Sequence, residues 1–332
     1  MNKLKNSIAI KILGAFINIF IIITISFLLV RFMPGDPLIH LVGQEEYYYL
    51  LDSSPETLEE LKEKYGLSDS IFIQYMKYLK SILYFDFGRA YSNHRPVLEN
   101  VLNASKWTLF LSVPTWILGG IIGGALGLLA GFKPGSLFDK ISTSVFLLIN
   151  TIPSNCLSLI LLIIFSYKLR LFPINGMVSA NAVGADRIIN ILWHMMLPLF
   201  ILILSRTSGN FMLMKSSASQ VRKEEYVITA YSKGLSDKKT LFVHMLKNAL
   251  LPYSTSMCMQ LGYILSGSMI VEVVFGWKGM GMLLYNAVLA RDFPTAQLCF
   301  LISAIMVVSG NLLGDIVNAL IDPRIKEDVV YE

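Results

Sequence analysis

Apolar residues fall in six long runs along the chain, at 12–30, 107–132, 141–167, 191–214, 253–274 and 296–321, and charged and polar residues gather between them. Each run is long enough to cross a hydrocarbon core about 30 Å thick, which takes about 20 helical residues. Only helices that satisfy their own backbone cross such a core with this pattern, so the chain is expected to be an all-α membrane protein with six transmembrane helices. An even number of crossings puts both ends on one side. The first run follows Lys3, Lys5 and Lys11. Its apolar stretch exceeds a signal-peptide core of about 7–15 residues, and no small-x-small cleavage pattern precedes Arg31, so it is read as a retained helix.

The segment 32–106 between the first two runs carries its own helix signals. Ser54 suits an N-cap, Pro55 a first helical position, and Glu56, Glu59 and Glu60 the positive end of a helix dipole. Gly66 supplies a stop. Farther on, Ile71, Tyr75, Tyr78, Leu79 and Ile82 share one face at helical spacing, which predicts a small cap on the outer membrane face. Within the second run, Gly119, Gly120, Gly123, Gly124 and Gly127 are small residues that let helices approach closely.

Composition agrees with this layout: of 332 residues, 54% are hydrophobic and 15% charged, with a mean hydropathy of +0.59. The net charge of +5 needs no nucleic-acid partner. Lys and Arg concentrate in the short segments on one side, above all Lys215, Arg222, Lys223, Lys233, Lys238, Lys239 and Lys247, whereas the short loops opposite hold only Lys168, Arg170, Arg187, Lys278 and Arg291. Basic residues stay inside, so both termini and the insert at 215–252 are expected in the cytoplasm. Cys156, Cys258 and Cys299 lie within apolar runs without paired or metal-ligand spacing, and read as small hydrophobes in helix packing.

The chemistry that is missing matters as much. No G-x-x-x-x-G-K-[ST] stretch occurs, and Gly276, Gly279 and Gly281 do not form one, so ATP is not bound by that route. There is no H-E-x-x-H pair and no nucleophile elbow. The histidines His40, His94, His194 and His244 are dispersed. A membrane-embedded enzyme would need a catalytic constellation that is absent here. A secondary transporter would show an inverted repeat and broken helices, and neither is evident in the sequence.

The insert at 215–252 is too long for a simple connector. Tyr226, Val227, Ala230 and Tyr231 recur at helical spacing, Gly234 fits a sharp turn with close packing around it, and Ser236 offers an N-cap for a second helix carrying Leu241, Phe242, Met245 and Leu246. Such a pair of helices suits a groove on another protein, and equally a membrane surface with Lys238 and Lys239 toward the headgroups.

Here the residues carry a resemblance. Glu225-Tyr226-Val227, Thr229-Ala230, Lys233-Gly234-Leu235, His244 and Asn248-Ala249-Leu250-Leu251-Pro252 resemble the coupling-loop signature of permeases of dipeptide, oligopeptide and nickel ABC transporters. Collinear matches are Pro34-Gly35-Asp36-Pro37, Lys64-Tyr65-Gly66-Leu67 with Gln74-Tyr75, and Asp86-Phe87-Gly88. Toward the end follow Gln260-Leu261-Gly262, Glu272-Val273-Val274-Phe275, Trp277, Gly279, Gly281, Arg291-Asp292-Phe293-Pro294 and Asp322-Pro323-Arg324. Lys278 stands where the family often has Pro, and Met212 where Arg is common.

The resemblance implies the type I ABC importer transmembrane fold. It divides the chain into an N-terminal helix (1–31), a long extracytoplasmic loop (32–106), a core (107–321) with the coupling loop at 215–252, and a cytoplasmic tail (322–332). It implies a non-catalytic subunit of a bacterial or archaeal cell membrane that holds no cofactor. Its expected partners are a second homologous permease, two cytoplasmic ATPases binding ATP-Mg, and an extracytoplasmic solute-binding protein. The cargo is expected to be a di- or oligopeptide, with nickel or a metal chelate as the alternative. Glu225, Tyr226, Ala230, Lys233, Gly234, His244, Asn248 and Pro252 are the expected coupling residues. Polar groups inside a membrane face protein or water, which makes Arg206, Asn210, Gln260 and Glu272 the candidates for the translocation pathway, with Glu272 near the outer boundary.

Overall fold

The computed structural model describes residues 2–32, 36, 38–64, 66–180, 182–266 and 268–321. Pro34, Gly35, Pro37, Tyr65 and the tail with Asp322-Pro323-Arg324 lie outside the described residues. Helices make up the architecture, and no named strand occurs among the described residues. The first helix, α1, spans Asn2–Arg31 and turns Leu13, Phe16, Phe20 and Leu29 outward, which suits a hydrocarbon surrounding rather than water. Four short helices follow: α2 (Leu38–Val42), α3 (Gln44–Ser53), α4 (Pro55–Lys64) and α5 (Ile71–Leu83).

α4 starts at Pro55 and ends as expected before Gly66, where Leu67 N–H reaches the Lys62 carbonyl (2.7 Å) and Gly66 N–H that of Glu63 (2.9 Å). Leu38, Tyr47 and Leu58 form a small core of their own. It is pinned by Asp36, which accepts from the Leu38 N–H (2.9 Å) and the Tyr47 hydroxyl (3.0 Å). α5 goes elsewhere. Its Tyr75 and Tyr78 rings meet Phe27 of α1 at 5.2 and 5.6 Å, and the Tyr75 hydroxyl lies 2.6 Å from Thr24 Oγ1. The amphipathic face therefore packs against the side of the first helix, and Ile71, in its first turn, stays exposed.

Two long helices form the centre, α6 (Val97–Phe132) and α9 (Ala185–Val221). The glycines of α6 explain how closely they lie. A Cβ on Gly123 would come within 2.7 Å of Asn210 Cβ and of the Thr207 carbonyl; on Gly127, within 2.5 Å of the Phe211 carbonyl; on Gly131, within 2.6 Å of that of Lys215. This four-residue repeat presents backbone to backbone, so dispersion contacts replace side chains at the crossing. Gly124, one position round, faces Tyr253, whose hydroxyl donates to the Gly120 carbonyl (2.6 Å).

Two of the six expected spans are not continuous. The run at 141–167 divides into α7 (Leu137–Thr151) and α8 (Ser154–Leu161, continued as a π-helical stretch Leu162–Lys168), bent by 99°. Pro153 is the cause: it forces the preceding residue out of the helical region, and Ile152 is extended (φ −80°, ψ 121°). The run at 253–274 divides into α12 (Leu246–Gly262) and α13 (Met269–Phe275). Gly262 ends the first and Ser268 precedes the second, residue types that weaken a helix. Among the described residues, four helices are thus long and apolar enough to cross a membrane, five with the bent pair as one span. Two further helices follow among the described residues, α14 (Met280–Leu289) and α15 (Phe293–Ile321). α15 packs against α1 and α12, with Gly262 and Gly310 at the closest approach.

Candidate functional site: a polar cavity and an exposed helical knuckle

A cavity of about 540 Å³ lies between α6, α8, α9 and α12. On α9, Arg206 and Asn210 are one turn apart and line it together, as do Ser256 and Gln260 on α12. Gln260 Nε2 donates to Asn210 Oδ1 (2.8 Å) and faces Ser256 Oγ at 3.4 Å. Asn210 Nδ2 and Gln260 Oε1 are buried and have no partner among the described residues. Arg206 is half-buried and likewise makes no hydrogen bond or ion pair to a described residue. Its stem rests on Gly119, where a Cβ would come within 2.9 Å of Arg206 Cβ and Cγ. Ser112, Thr115, Ser154, Ser205 and Ser268 complete the polar wall. Those five were not singled out from the sequence, and only Ser205, beside Arg206 on α9, shares a helix with any of the three larger polar residues.

Glu272 is placed differently from the other three. It does not line the cavity and has no exposed surface. Its Oε1 accepts from Thr108 Oγ1 (2.8 Å) and Ser268 Oγ (2.7 Å), and its Oε2 from the N–H groups of Gly281 (2.8 Å) and Met282 (3.2 Å). Thr108 Oγ1 in turn accepts from the Met280 N–H (2.7 Å). These are the first N–H groups of α14, which no carbonyl of the helix can satisfy, so the carboxylate and Thr108 cap that helix at its positive end. Location near a membrane boundary is therefore not what makes this carboxylate tolerable; four donors do.

The surrounding motif residues serve the same knot. Trp277 is fully buried and donates Nε1–H to the Trp107 carbonyl (2.9 Å). Gly276 has φ +63°, and a Cβ there would collide with Asn175 Oδ1. At Gly279 a Cβ would collide with the Glu272 carboxylate, and at Gly281 it would reach within 2.5 Å of Met269 Cα.

The insert at 215–252 is mostly helix. Lys215 belongs to α9 and Pro252 to α12; between them lie α10 (Glu225–Ser232), a short α11 (Asp237–Lys239) and a π-helical stretch (Thr240–Met245) that runs into α12. Val227 of α10 packs in a cluster with Leu241, Met245 and neighbours from α6 and α9, and Ala230 is buried. Glu225, Tyr226, Ile228, Tyr231, Lys233, Phe242 and Val243 remain exposed. Asn248 is half-buried and donates to the Tyr226 hydroxyl (2.5 Å), tying α10 to α12; His244 is half-buried and Pro252 exposed. Lys133 pairs with Asp237 (2.6 Å), and Arg222 donates to the Phe132 carbonyl.

Gly234 ends α10 in a left-handed turn (φ +75°), with Leu235 N–H reaching the Ala230 carbonyl (3.3 Å) and Gly234 N–H that of Tyr231 (2.9 Å). The close packing expected there is not found within this chain: a Cβ on Gly234 would meet nothing within 4 Å. The glycine is required by its backbone angle.

Among the described residues no three His, Cys, Asp or Glu side chains are grouped to hold a metal ion. His194 is buried, with Nδ1 2.8 Å from the Asn190 carbonyl. Cys299 is buried as a packed hydrophobe, whereas Cys156 faces outward from α8.

A helical bundle with outward apolar faces and a polar cavity has the architecture of an integral membrane protein. A family model described as binding-protein-dependent transport system inner membrane component matches residues 123–327, and its N-terminal companion matches residues 5–112. The chain belongs to this family of ABC permeases, whose membrane subunits are not catalytic, and it is an integral inner-membrane protein. It is 33% identical to the oligopeptide transport system permease protein AppB of Bacillus subtilis, over 91% of this chain and 93% of that one. It is 30% identical to the dipeptide transport system permease protein DppB of Escherichia coli (95% and 97%). It is 31% identical to the metal-staphylopine import system permease protein CntB of Staphylococcus aureus (82% and 84%).

Proposed function

We propose that this chain is one permease half of an ATP-driven importer of di- or oligopeptides. The observation that carries the reading is the family match over both ends of the chain, together with relatives named as oligopeptide and dipeptide permeases. The staphylococcal relative supports a second reading, import of a metal chelate.

In this reading the fold is of type I with six crossings, α12 and α13 forming the fifth and the bent α7–α8 pair the third. Both termini and the 322–332 tail are cytoplasmic, as the distribution of Lys and Arg supports, and 32–106 is extracytoplasmic. Arg206, Asn210 and Gln260 belong to the pathway, and Glu272 holds the α13–α14 turn beside it. The coupling surface is the knuckle at 215–252. Glu225, Tyr226, Lys233 and His244 meet the ATPase, Ala230, Gly234 and Asn248 keep the shape of α10, and Pro252 marks the junction with the membrane helix. A second permease closes the cavity, an extracytoplasmic binding protein delivers cargo, and ATP-Mg is held by two ATPase partners, with no cofactor in this chain.

Reconstitution of the full complex in proteoliposomes tests this. ATP-dependent uptake of a dipeptide is expected with all subunits present and none when the ATPases or second permease are omitted. ATP-driven uptake by this chain with the binding protein alone overturns the reading.

A further inference from the structure

We infer that Arg206 is the anchor for a free carboxylate on the transported solute, so that this half-cavity favours anionic or zwitterionic cargo over bare cations. The inference rests on the permease reading and narrows its substrate class. Among the described residues lining the cavity, Arg206 alone carries a charge. It has no acceptor from any described residue, and a guanidinium inside a membrane protein needs an anion or water to offset its lost hydration.

The geometry supplies more than the charge. The Arg206 Cβ and Cγ rest against Gly119, so the root of the side chain is fixed on the wall and the guanidinium reaches from there along the cavity surface. One turn along α9, Asn210 lines the same cavity, and its Nδ2 is a buried donor without a partner among the described residues. A carboxylate accepts two parallel N–H bonds from a guanidinium fork, which fixes its orientation as well as its charge. The cavity volume of about 540 Å³ is of the size of small-molecule sites. A bare divalent cation would meet the Arg206 charge with only neutral side chains on the described wall to hold it, and a chelate is compatible only if its ligand presents a free carboxylate.

The test uses the assembled transporter with Cys156, Cys258 and Cys299 replaced by alanine and Ser256→Cys as a reporter in the cavity wall. Its modification by a sulfonate-bearing and by a trimethylammonium-bearing methanethiosulfonate is measured, each normalised to a free thiol. The anionic reagent is expected to be favoured about tenfold, as one uncompensated cation on the wall of the same cavity dictates. That preference should vanish in Arg206→Gln and persist in Arg206→Lys. Free-acid dialanine should protect the reporter, and its C-terminal amide should not. No anionic preference in the parent, which is the result if a carboxylate of the second permease already neutralises Arg206, overturns the inference. So does a preference that survives Arg206→Gln, or protection by both dialanine forms or by neither. The permease reading is judged separately, by co-purification of the ATPases with the same parent, and stands or falls independently.

Discussion

Removing the Glu272 carboxylate tests whether the α13–α14 knot is held by hydrogen bonds to a helix start. In Glu272→Ala four donors lose their acceptor. The Thr108 and Ser268 hydroxyls can rotate toward other oxygens, and Ser112 Oγ already lies 3.3 Å from Ser268. The N–H groups of Gly281 and Met282 cannot rotate. Each is left unsatisfied in a buried setting at about 1–3 kcal/mol, and the void left by the side chain adds to this. The sum is about 3–6 kcal/mol. Glu272→Gln keeps one oxygen for the N–H pair and turns its amide toward hydroxyls able to accept, so its cost is about 1–2 kcal/mol.

Melting in detergent, followed by a thiol-reactive dye, reads the difference, because Cys299 is buried; Cys156 is exposed and must first be replaced by alanine. At roughly 1.4 °C per kcal/mol for a chain of this length, the alanine variant should melt roughly 6 °C below the parent and the glutamine variant roughly 2 °C below. An alanine variant within about 2 °C of the parent would refute the reasoning, and so would a glutamine variant as damaged as the alanine one.

Other outcomes follow from the same geometry. Gly127→Ala, whose Cβ would press on the backbone of Phe211 and Lys215, should destabilise by about 1–3 kcal/mol. Gly14→Ala, with open space around it, should not, and equal melting temperatures for the two would contradict close α6–α9 packing. At Gly234, alanine introduces only left-handed strain of about 1–2 kcal/mol, while tryptophan adds bulk on the exposed knuckle. If that surface meets the ATPase, Gly234→Trp should lose ATP-coupled uptake that Gly234→Ala largely keeps, and matching uptake rates speak against the coupling role. In a cysteine-free background, an impermeant thiol reagent applied outside should label Ser68→Cys and leave Ser236→Cys untouched; the opposite pattern inverts the topology.

The long elements were legible because hydropathy and glycine spacing carry them: α1, α6, α9 and α15 all lie over predicted runs. Their ends were not. α6 begins at Val97 and α9 continues to Val221, because a helix does not stop where the hydrocarbon does. The two broken spans were written in the sequence in another language. Pro153 and the Gly-Ser cluster at 262–268 are local backbone signals, and a hydropathy window averages over them. The cores of 32–106 were half legible: Tyr75, Tyr78, Leu79 and Ile82 do face inward, while the union of Leu38, Tyr47 and Leu58 depends on Asp36 joining two short helices, a tertiary contact with no periodic trace.

The site divides along the same line. Arg206, Asn210 and Gln260 stand out because a large polar group in an apolar run requires a reason. Serines do not stand out, since a hydroxyl in a helix can bond the carbonyl a turn earlier, as Ser158 does to Ser154 (2.6 Å). Ser268 shows what that anonymity hides. It lines the cavity and also donates to Glu272, while Ser112 on the same wall faces it at 3.3 Å. A solute that draws the Ser268 hydroxyl into the cavity takes one donor from the carboxylate that caps α14. The cavity wall and the α13–α14 turn therefore share a hydrogen-bond network, and a displacement at one end has a physical route to the other.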